Sequence, residues 1–583
     1  MRRLLVRQQG RTHHPGYRRL SRAYVSGLVA CLAPTVPIAH ASGSYATFAS
    51  KDGVRIEIRT SGDSNVSAPS AHVVRVGEVQ LVGVAPDVLQ ASEMRAGAIR
   101  GKIVPVVEIF ALASAIESEH ARAGYAFARA VVLPQTIRHG GPAQIGVVQL
   151  TIEGLDLDAV DEKFRARVVS RLQPLIGKLP VTTADLTRAV GLLQIELGTR
   201  LEVAPKPGST PDRIRLAVSG AGRPLTGELS ATRLTSDPFQ QSMVSGAFTA
   251  TSMAGLSERL SVAGTLGERH ERPNIEGPFW AFASTAQIPL GEHGIFAEIL
   301  GSSARELRRF WSSDYKVEYR YNKAGLRIGL PFIAGTGQIF IFKVGPDSIG
   351  ERLTYRFDQA AWPAEAIQDF RTNVVRAGVT SYMSLPWGVS AQAGIEYSGG
   401  RITNRDVFGP PDPLFEQSPR RRDGASKLEG RFQFDVPLPA GFQASISGRG
   451  QYSFFGWLPP AEQMQLFTTE ASLPLNPETS QGESGAVARA EIARTISASF
   501  ISPGAVLGPY SFISGGFVSQ KRGAGLDSLI VQGRKFGAGV KLSIPDPSGA
   551  MPVLEIGLEC FRQVTDGPVP DHTGLTVRVA TRF

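Results

Sequence analysis

The sequence feature that most constrains the fold is a long region, from about Gly227 to Phe583, in which apolar and polar residues alternate. Alternation places successive side chains on opposite faces of a strand, so the region predicts a series of strands. Mean hydropathy is −0.04, and no apolar run reaches about 20 residues, which excludes a polytopic helical membrane protein. An outer-membrane β-barrel stays possible, because its apolar residues alternate with polar ones.

Turns divide this region with a regular asymmetry. An apolar residue that ends a strand is followed by proline at five positions: Pro289, Pro331, Pro386, Pro437 and Pro545. Pro503 is a looser case of the same pattern. Two strands and one longer loop fit each interval, which predicts about seven short turns and about sixteen strands. The longer loops fall on the opposite side and include residues 401–423, with the Arg420–Arg422 run, and 457–484.

The last strand ends in an aromatic residue. Its alternate residues share one face: Leu575, Val577, Val579, Thr581 and Phe583. Such an ending is typical of the clients that bacterial barrel-assembly machinery recognises. The alternative is a soluble β-sandwich that ends in Phe583 by chance. We expect a closed transmembrane antiparallel barrel at 223–583, because a lipid-facing sheet cannot leave its edges unpaired.

The N-terminus predicts export. The first 41 residues hold seven arginines and no acid, then an apolar stretch and Ala39-His40-Ala41, which predicts a signal peptide over residues 1–41. Lipidation at Cys31 is the alternative to cleavage after Ala41. Without this segment 62 − 7 = 55 basic residues face 52 acidic ones, so charge gives no support for a nucleic-acid partner. Residues 42–71 have no sustained period and read as a linker.

Two small α+β modules are expected between the linker and the barrel. Residues 72–155 predict a β-α-β-β unit, with a strand at 73–82, a helix at 106–122 and strands at 125–133 and 144–152. Residues 156–222 predict two helices, at 164–175 and 186–195, and two strands, at 201–203 and 214–218.

Three motifs in the first module carry a family resemblance: Gly124-Tyr125, Leu133-Pro134-Gln135-Thr136-Ile137 and Val148-Gln149-Leu150-Thr151-Ile152-Glu153-Gly154. With a barrel behind them they resemble the two-partner secretion transporters, the TpsB-type haemolysin and haemagglutinin secretion-activation proteins. The resemblance implies α+β periplasmic POTRA modules followed by an all-β barrel of about 16 strands. It also implies export of a secreted partner polypeptide.

A client could bind the first module by adding a strand to a sheet edge or by filling a groove beside the helix. The candidate client-binding residues are Tyr125, Phe127, Arg129, Val131, Pro134 and Gln135. The plainer alternative is that Tyr125, Gln135 and Glu153 stabilise turns and the module core.

The family also has a loop that folds into the barrel, where an arginine pairs with an aspartate of the wall. The corresponding loop positions are Leu473, Pro474, Leu475 and Asn476, and the wall positions are Phe512, Ser514 and Gly516. Pro474 replaces the arginine and Ser514 the aspartate. Replacement of both charged residues together is physically reasonable, because replacing only one would leave the other as an unpaired buried charge, at a cost of about 3–5 kcal/mol. We therefore expect this particular ion pair to be missing.

No catalytic, metal or cofactor site is predicted, because the nine histidines are scattered and no pair has metal-ligand spacing. The expected protein is an outer-membrane polypeptide transporter and not an enzyme. Its further partners would be outer-membrane lipid, including lipopolysaccharide near the Arg420–Arg422 loop, and the barrel-assembly machinery. A passive pore, an outer-membrane insertase and a soluble surface enzyme remain the alternatives.

Overall fold

The fold is taken from a computed structural model. It describes residues 44–50, 53–59, 72–197, 201–220, 225–236, 239–254, 257–271, 275–291, 293–310, 315–335, 338–357, 365–407, 424–454, 458–467, 481–520, 528–545, 552–566 and 571–583. The predicted signal peptide with Cys31, the Arg420–Arg422 run and the loop positions Leu473, Pro474, Leu475 and Asn476 lie outside these residues.

Short strands and four helices make up the described part of the chain before the barrel. In chain order they are β1 (Ser44–Ser50), β2 (Gly53–Arg59), β3 (Val73–Arg75), β4 (Glu78–Val82), α1 (Pro86–Gly97), β5 (Ile103–Pro105), α2 (Val106–Arg122), β6 (Ala128–Val132), β7 (Gln135–Arg138), β8 (Pro142–Gln149), β9 (Thr151–Asp156), α3 (Glu162–Leu172), α4 (Thr183–Leu197), β10 (Glu202–Pro207) and β11 (Arg213–Ser219). None of the helices described is long and apolar enough to cross a membrane.

The first module is a three-stranded sheet in the order β4-β8-β6, with α1 and α2 on one face. Its core is the apolar stripe of α2 packed against the inward residues of the sheet, and Ile109, Ile116 and Ile145 are fully buried there. The expected β-α-β-β unit lacked α1. That helix buries only Val88, Ser92 and Ala96, so its sequence has too few apolar residues to produce a helical pattern.

Two further expectations for the N-terminal part need correction. The segment 42–71 is not a featureless linker, because β1 and β2 form a hairpin that pairs with β7. The module boundary at residue 155 is also wrong by one strand. β8 belongs to the first sheet, but β9 pairs in parallel with β11 and completes the second module. Only Leu150 separates the two strands.

The second module packs α3 and α4 against the sheet β10-β11-β9. Glu196 of α4 is buried and accepts hydrogen bonds from Arg167 and Arg171 of α3. The module also touches the barrel: Gly191 of α4 lies so close to Ile333 that a side chain there would displace it.

Sixteen long strands form a closed antiparallel barrel in the described residues, as the sequence predicted. They are β12 (Leu225–Ser236), β13 (Phe239–Thr251), β14 (Arg259–Glu271), β15 (Ile275–Pro289), β16 (Phe296–Phe310), β17 (Tyr315–Gly335), β18 (Gln338–Phe357), β19 (Glu365–Ser384), β20 (Ser390–Val407), β21 (Gly424–Pro437), β22 (Phe442–Ser453), β25 (Ser484–Arg494, continued by β26, Ile496–Ser497), β27 (Val506–Gln520), β28 (Leu529–Pro545), β29 (Pro552–Thr565) and β30 (His572–Arg582). β23 (Met464–Gln465) and β24 (Gln481–Gly482) form a small pair between β22 and β25.

The barrel closes where β12 pairs with β30. Gly227 and Phe583 exchange two backbone hydrogen bonds there, and Glu228 accepts from Arg578 at 2.6 Å and from Arg582 at 2.8 Å. The expected short turns adjoin the ends of the strands at Pro289, Pro386, Pro437 and Pro545. Pro331 instead lies inside β17, which continues to Gly335.

Candidate functional site: the barrel lumen and the first module

A loop between β22 and β25 folds back inside the barrel. Of this loop the structure describes residues 458–467 and 481–483. Leu458, Met464 and Leu466 are buried, although they belong to a loop. Met464 and Leu466 pack against Val518 and Val531 of the wall strands β27 and β28. The barrel therefore holds part of this loop against the inner face of its own wall.

Glu462 makes polar contacts between the loop and three wall strands. Its carboxylate lies 2.5 Å from the Arg376 guanidinium of β19 and 2.9 Å from the Lys427 ammonium of β21. Its backbone carbonyl accepts from Lys427 at 3.0 Å and from Gln451 at 2.8 Å. Glu462 is 5% exposed, and Arg376 and Lys427 are each 4% exposed. The loop thus places a buried acid between two buried cations.

The surrounding wall balances these charges. Asp347 accepts from Arg327 at 2.8 Å and from Arg376 at 2.7 Å, and lies 3.0 Å from Lys323. Each cation in this group has an acid within ion-pair distance, and the members are Lys323, Arg327, Arg376 and Lys427 with Asp347, Glu396, Glu429 and Glu462. Four cations face four acids, and one of the acids comes from the loop. Removing Glu462 would leave the group with one excess positive charge.

A second contact fixes the same turn. The Ala461 N–H donates to Glu351 of β18 at 2.9 Å, and the Tyr319 hydroxyl donates to the same Glu351 oxygen at 2.8 Å. Arg449 of β22 also donates to the carbonyl of Gln465. Wall side chains therefore hold the loop backbone as well as its carboxylate.

The wall positions that correspond to the family's Arg–Asp pair lie on β27, away from Glu462. Phe512 lies 3.6 Å from the Arg489 guanidinium, which stacks on its ring. The Ser514 hydroxyl donates to the backbone carbonyl of Lys535 at 3.5 Å. Gly516 approaches β25 so closely that a Cβ would collide with the Ala486 carbonyl. In the ion pairs described between the loop and the wall, the loop supplies the acid Glu462 and the wall supplies the bases Arg376 and Lys427.

The rest of the lumen contains a cavity of about 1040 Å3. Its charged lining residues are six cations and three acids: Arg431, Arg449, Arg489, Lys535, Lys541 and Arg578, with Glu228, Glu555 and Glu559. Several of the cations stack on aromatic rings, as Lys535 does on Phe561 at 3.7 Å. The described lining is polar and has an excess of 6 − 3 = 3 positive charges.

In the first module, β6 is one of the two edge strands of its sheet, and β4 is the other. The Leu133 N–H donates to the Gln144 carbonyl of β8, and the Phe127 carbonyl accepts from the Leu150 N–H. The odd-numbered residues of β6 therefore form the hydrogen bonds with β8, and the even-numbered residues point their backbone N–H and C=O groups away from β8. The outward N–H of Ala130 donates to the Glu117 carboxylate of α2 at 3.1 Å. A strand can be added at this edge only after Glu117 moves away.

The six predicted client-binding residues divide into two groups. Arg129 and Val131 are half-buried on the sheet face opposite the helices, and Pro134 is exposed. Phe127 is buried in the core of the second module, so its side chain is not a surface contact and that prediction is wrong.

Tyr125 and Gln135 have structural contacts. The Tyr125 hydroxyl donates to Asp87 of α1 at 2.9 Å, and this hydrogen bond raises the pKa of Tyr125. The Gln135 side chain forms two hydrogen bonds with the backbone of Gln144, both at 2.7 Å. Their contacts match the plainer alternative.

No family model matches the sequence, and no curated protein matches it. Solved structures do match. The chain is 12% identical to CdiB from Escherichia coli, with a TM-score of 0.59 over 90% of this chain and 93% of that one. For CdiB from Acinetobacter baumannii the identity is 13%, the TM-score 0.54 and the coverage 90% and 93%.

The fold is that of CdiB. Barrel and modules are both included in the match, since nine-tenths of the chain is covered. The shared architecture is a closed barrel preceded by small α+β modules.

The last strand has the alternation that the sequence predicted. Leu575, Val577, Val579 and Phe583 are exposed on the outer face, and Thr581 is half-buried there. Phe583 lies 6.0 Å from Phe248, ring centre to ring centre, on that face. Its use as an assembly signal stays a prediction.

Sequence reasoning missed Glu462, Arg376, Lys427 and Glu117. One signal for the inserted loop was present in the sequence: Met464 and Leu466 are apolar residues inside a polar loop, and such residues need a surface to pack on.

Proposed function

We propose that this protein is an outer-membrane transporter of a two-partner secretion system, which exports a partner polypeptide recognised by its periplasmic modules. The observation that carries the proposal is the lumen. A loop occupies one part of it through a few ion pairs and hydrogen bonds, and a polar cavity occupies another. Polar contacts suit a removable loop, because water can replace them when the loop leaves.

The cavity has room for a polypeptide. An extended chain occupies roughly 160 Å3 per residue, from strand spacings of about 4.8 and 10 Å and a rise of about 3.3 Å. The cavity of about 1040 Å3 would hold about six such residues before the loop moves. Displacing residues 458–467 would lengthen this passage along the wall of β19–β22.

The β6 edge is the proposed entry site for the client. A client strand would form backbone hydrogen bonds with Ala128, Ala130 and Val132, and this mode of binding tolerates varied client sequences. Arg129 and Val131 would contribute the side-chain contacts. Glu117 would keep the edge occupied when no client is present, as natural edge strands require.

The direct test of the proposal compares exported proteins in the native host. Strains carry the full chain, a chain lacking residues 72–222, or no chain, and mass spectrometry quantifies the proteins in the medium. We expect one exported protein to depend on the full chain and to be lost with the deletion, while the barrel still shows heat-modifiable migration. Equal secretion from the first two strains would contradict recognition by the modules.

Two variants test the entry site. Ala130→Pro removes an N–H that the ladder of β8 does not use, so the module should fold while strand addition is blocked. Glu117→Ala frees the same N–H and should increase client binding. Arg95→Gln is the matched control, because it changes a different contact of α2, the Arg95–Glu119 pair. Equal secretion by A130P and wild type would exclude β6 as the entry site.

A passive pore is the second candidate. Pro474 and Ser514 stand at the positions of the family's Arg–Asp pair, and a chain that no longer secretes protein could have lost that pair. This candidate predicts planar-bilayer conductance with no exported protein depending on the chain. An insertase would instead change the abundance of other outer-membrane proteins in the deletion strain.

A further inference from the structure

The outer wall of the barrel carries a row of arginines. Arg305 of β16 lies directly opposite Arg320 of β17, and Arg320 lies directly opposite Arg352 of β18. All three side chains are exposed. They point away from the lumen, because Tyr319 and Glu351, one position along the same strands, meet inside it. Like charges directly opposite each other destabilise a sheet, so this row is unfavourable by itself.

Further cations surround the row on the same face. Together they form the outer cationic cluster: Arg305, Arg309, Lys316, Arg320, Arg352, Arg356, Arg371 and Arg401. Glu318 and Asp369 are the acids on this face among the residues whose side chains are described. By strand register Glu276 also lies opposite Arg309, and Glu365 lies opposite Arg356, so the excess over the eight cations is 8 − 4 = 4 positive charges.

Glu318 and Asp369 fix the positions of the arginine row. Glu318 is 2% exposed because Arg305 and Arg320 cover it, each at 2.6 Å. Asp369 lies 2.7 Å from Arg352. A carboxylate shared by two guanidinium groups fixes their planes and leaves their other N–H groups facing outward.

The cluster lies just beyond the apolar band of the wall. On the same face of β17, Leu326, Ile328, Leu330 and Phe332 are exposed toward the short turn. β17 has 21 residues, about 70 Å at a rise of about 3.3 Å, whereas an apolar band of about 25 Å needs only half of that length. The strand therefore extends beyond the membrane on the side of the long loops, and Arg320 lies at the boundary.

We propose that the outer cationic cluster binds the phosphate groups of lipid A in the outer leaflet. The inference rests on the barrel lying in an outer membrane with its long loops outside. Charge complementarity identifies the ligand: the phosphates of this glycolipid lie at the boundary of the apolar band, and guanidinium groups bind phosphate through paired N–H donors. A bound phosphate would also offset the repulsion within the arginine row.

The test uses the full chain purified in detergent. The probes are bis-phosphorylated lipid A, the same lipid after enzymatic removal of its phosphates, and inorganic phosphate. Binding is measured by native mass spectrometry, and the thermal midpoint of the barrel is measured with and without each probe. The variant is Arg320→Gln with Arg352→Gln. Arg233→Gln is the control, because Arg233 is an exposed outward arginine of β12 that lies between Ser242 and Val577.

We expect lipid A to bind wild type and R233Q, and the double variant to bind at least tenfold more weakly. Without lipid A the midpoint of the double variant should stay close to that of wild type, because the lost ion pairs of Arg320 and Arg352 are offset by relief of the repulsion within the row, and Glu318 keeps Arg305 at 2.6 Å. Equal binding by the double variant, equal binding of dephosphorylated lipid A, or binding of inorganic phosphate alone would overturn the proposal.

A second variant covers failure of the double variant to fold. Arg371→Gln changes an exposed cluster residue opposite Gly350 and Thr403, and it should weaken lipid A binding about threefold. No outcome depends on secretion. If lipid A binds but no exported protein depends on this chain, the proposed transport function is contradicted and the proposed lipid A site still stands.

Discussion

Replacing Glu462 with glutamine should release the loop from the lumen. The side chain keeps its size but loses the charge that Arg376 and Lys427 share at 2.5 and 2.9 Å. Removing one member of a buried ion pair costs about 3–5 kcal/mol, because the remaining charges stay desolvated. Arg376 still has Asp347 at 2.7 Å, so we take the lower figure of about 3 kcal/mol.

That free energy shifts the ratio of inserted to released loop by about two orders of magnitude, at about 1.4 kcal/mol for each factor of ten. The assay is single-channel recording of the full chain in planar bilayers. Wild type should show small conductance with rare large openings, and E462Q should spend a far greater fraction of time in the large state.

Glu429→Gln is the matched control. Glu429 lies 2.9 Å from Lys427 but belongs to β21 of the wall. If E429Q opened the pore as much as E462Q, the effect would come from the charge of the lumen and not from the loop. An unchanged conductance in E462Q would refute the reasoning altogether.

Three further predictions concern the pore, the seam between β12 and β30 where the barrel closes, and the second module. The excess positive charge of the cavity should make the open pore prefer anions, and a reversal potential of the opposite sign in a KCl gradient would contradict this. Glu228→Ala should lower the thermal midpoint of the barrel by only a few degrees, because its pairs with Arg578 and Arg582 are partly exposed and worth about 1 kcal/mol or less; a much larger fall would mean that the seam depends on Glu228. A hydrogen bond from the nearby Lys178 ammonium lowers the pKa of Asp185. The stability that the Asp185 carboxylate contributes is therefore complete above the unfolded-state pKa of about 3.9, and it is lost as pH falls through the folded-state pKa. Hydrogen exchange of α4, corrected for the intrinsic rate, should therefore speed up in acid, and less so in Asp185→Asn.

The barrel could be predicted from sequence because lipid outside and water inside impose a period of two on every strand. Val375 and Phe432 show this pattern, and both are exposed on the outer face. The number of strands could be predicted because two strands and one longer loop fit each interval between the turn prolines. Pro331 was placed at a turn, yet β17 continues to Gly335, because its last residues face α4 and do not need to end at the membrane boundary.

The module boundary and the site could not be read in the same way. Residues 142–156 read as one extended segment, but the hydrogen bonds change from β4 and β6 to β11 at Leu150. Hydrogen-bond partners leave no periodic trace in a sequence. Glu462 and Arg376 are 86 residues apart in the chain, and only closure of the barrel brings them together.

The route of the client is the most direct test of the account. A photo-reactive amino acid at Ser514, which lines the cavity, is compared with the same group at Ile513, which is 58% exposed on the outer face. During export, irradiation should join the exported protein to position 514 and not to position 513. An exported protein that depends on this chain but never cross-links at position 514 would contradict passage through the barrel.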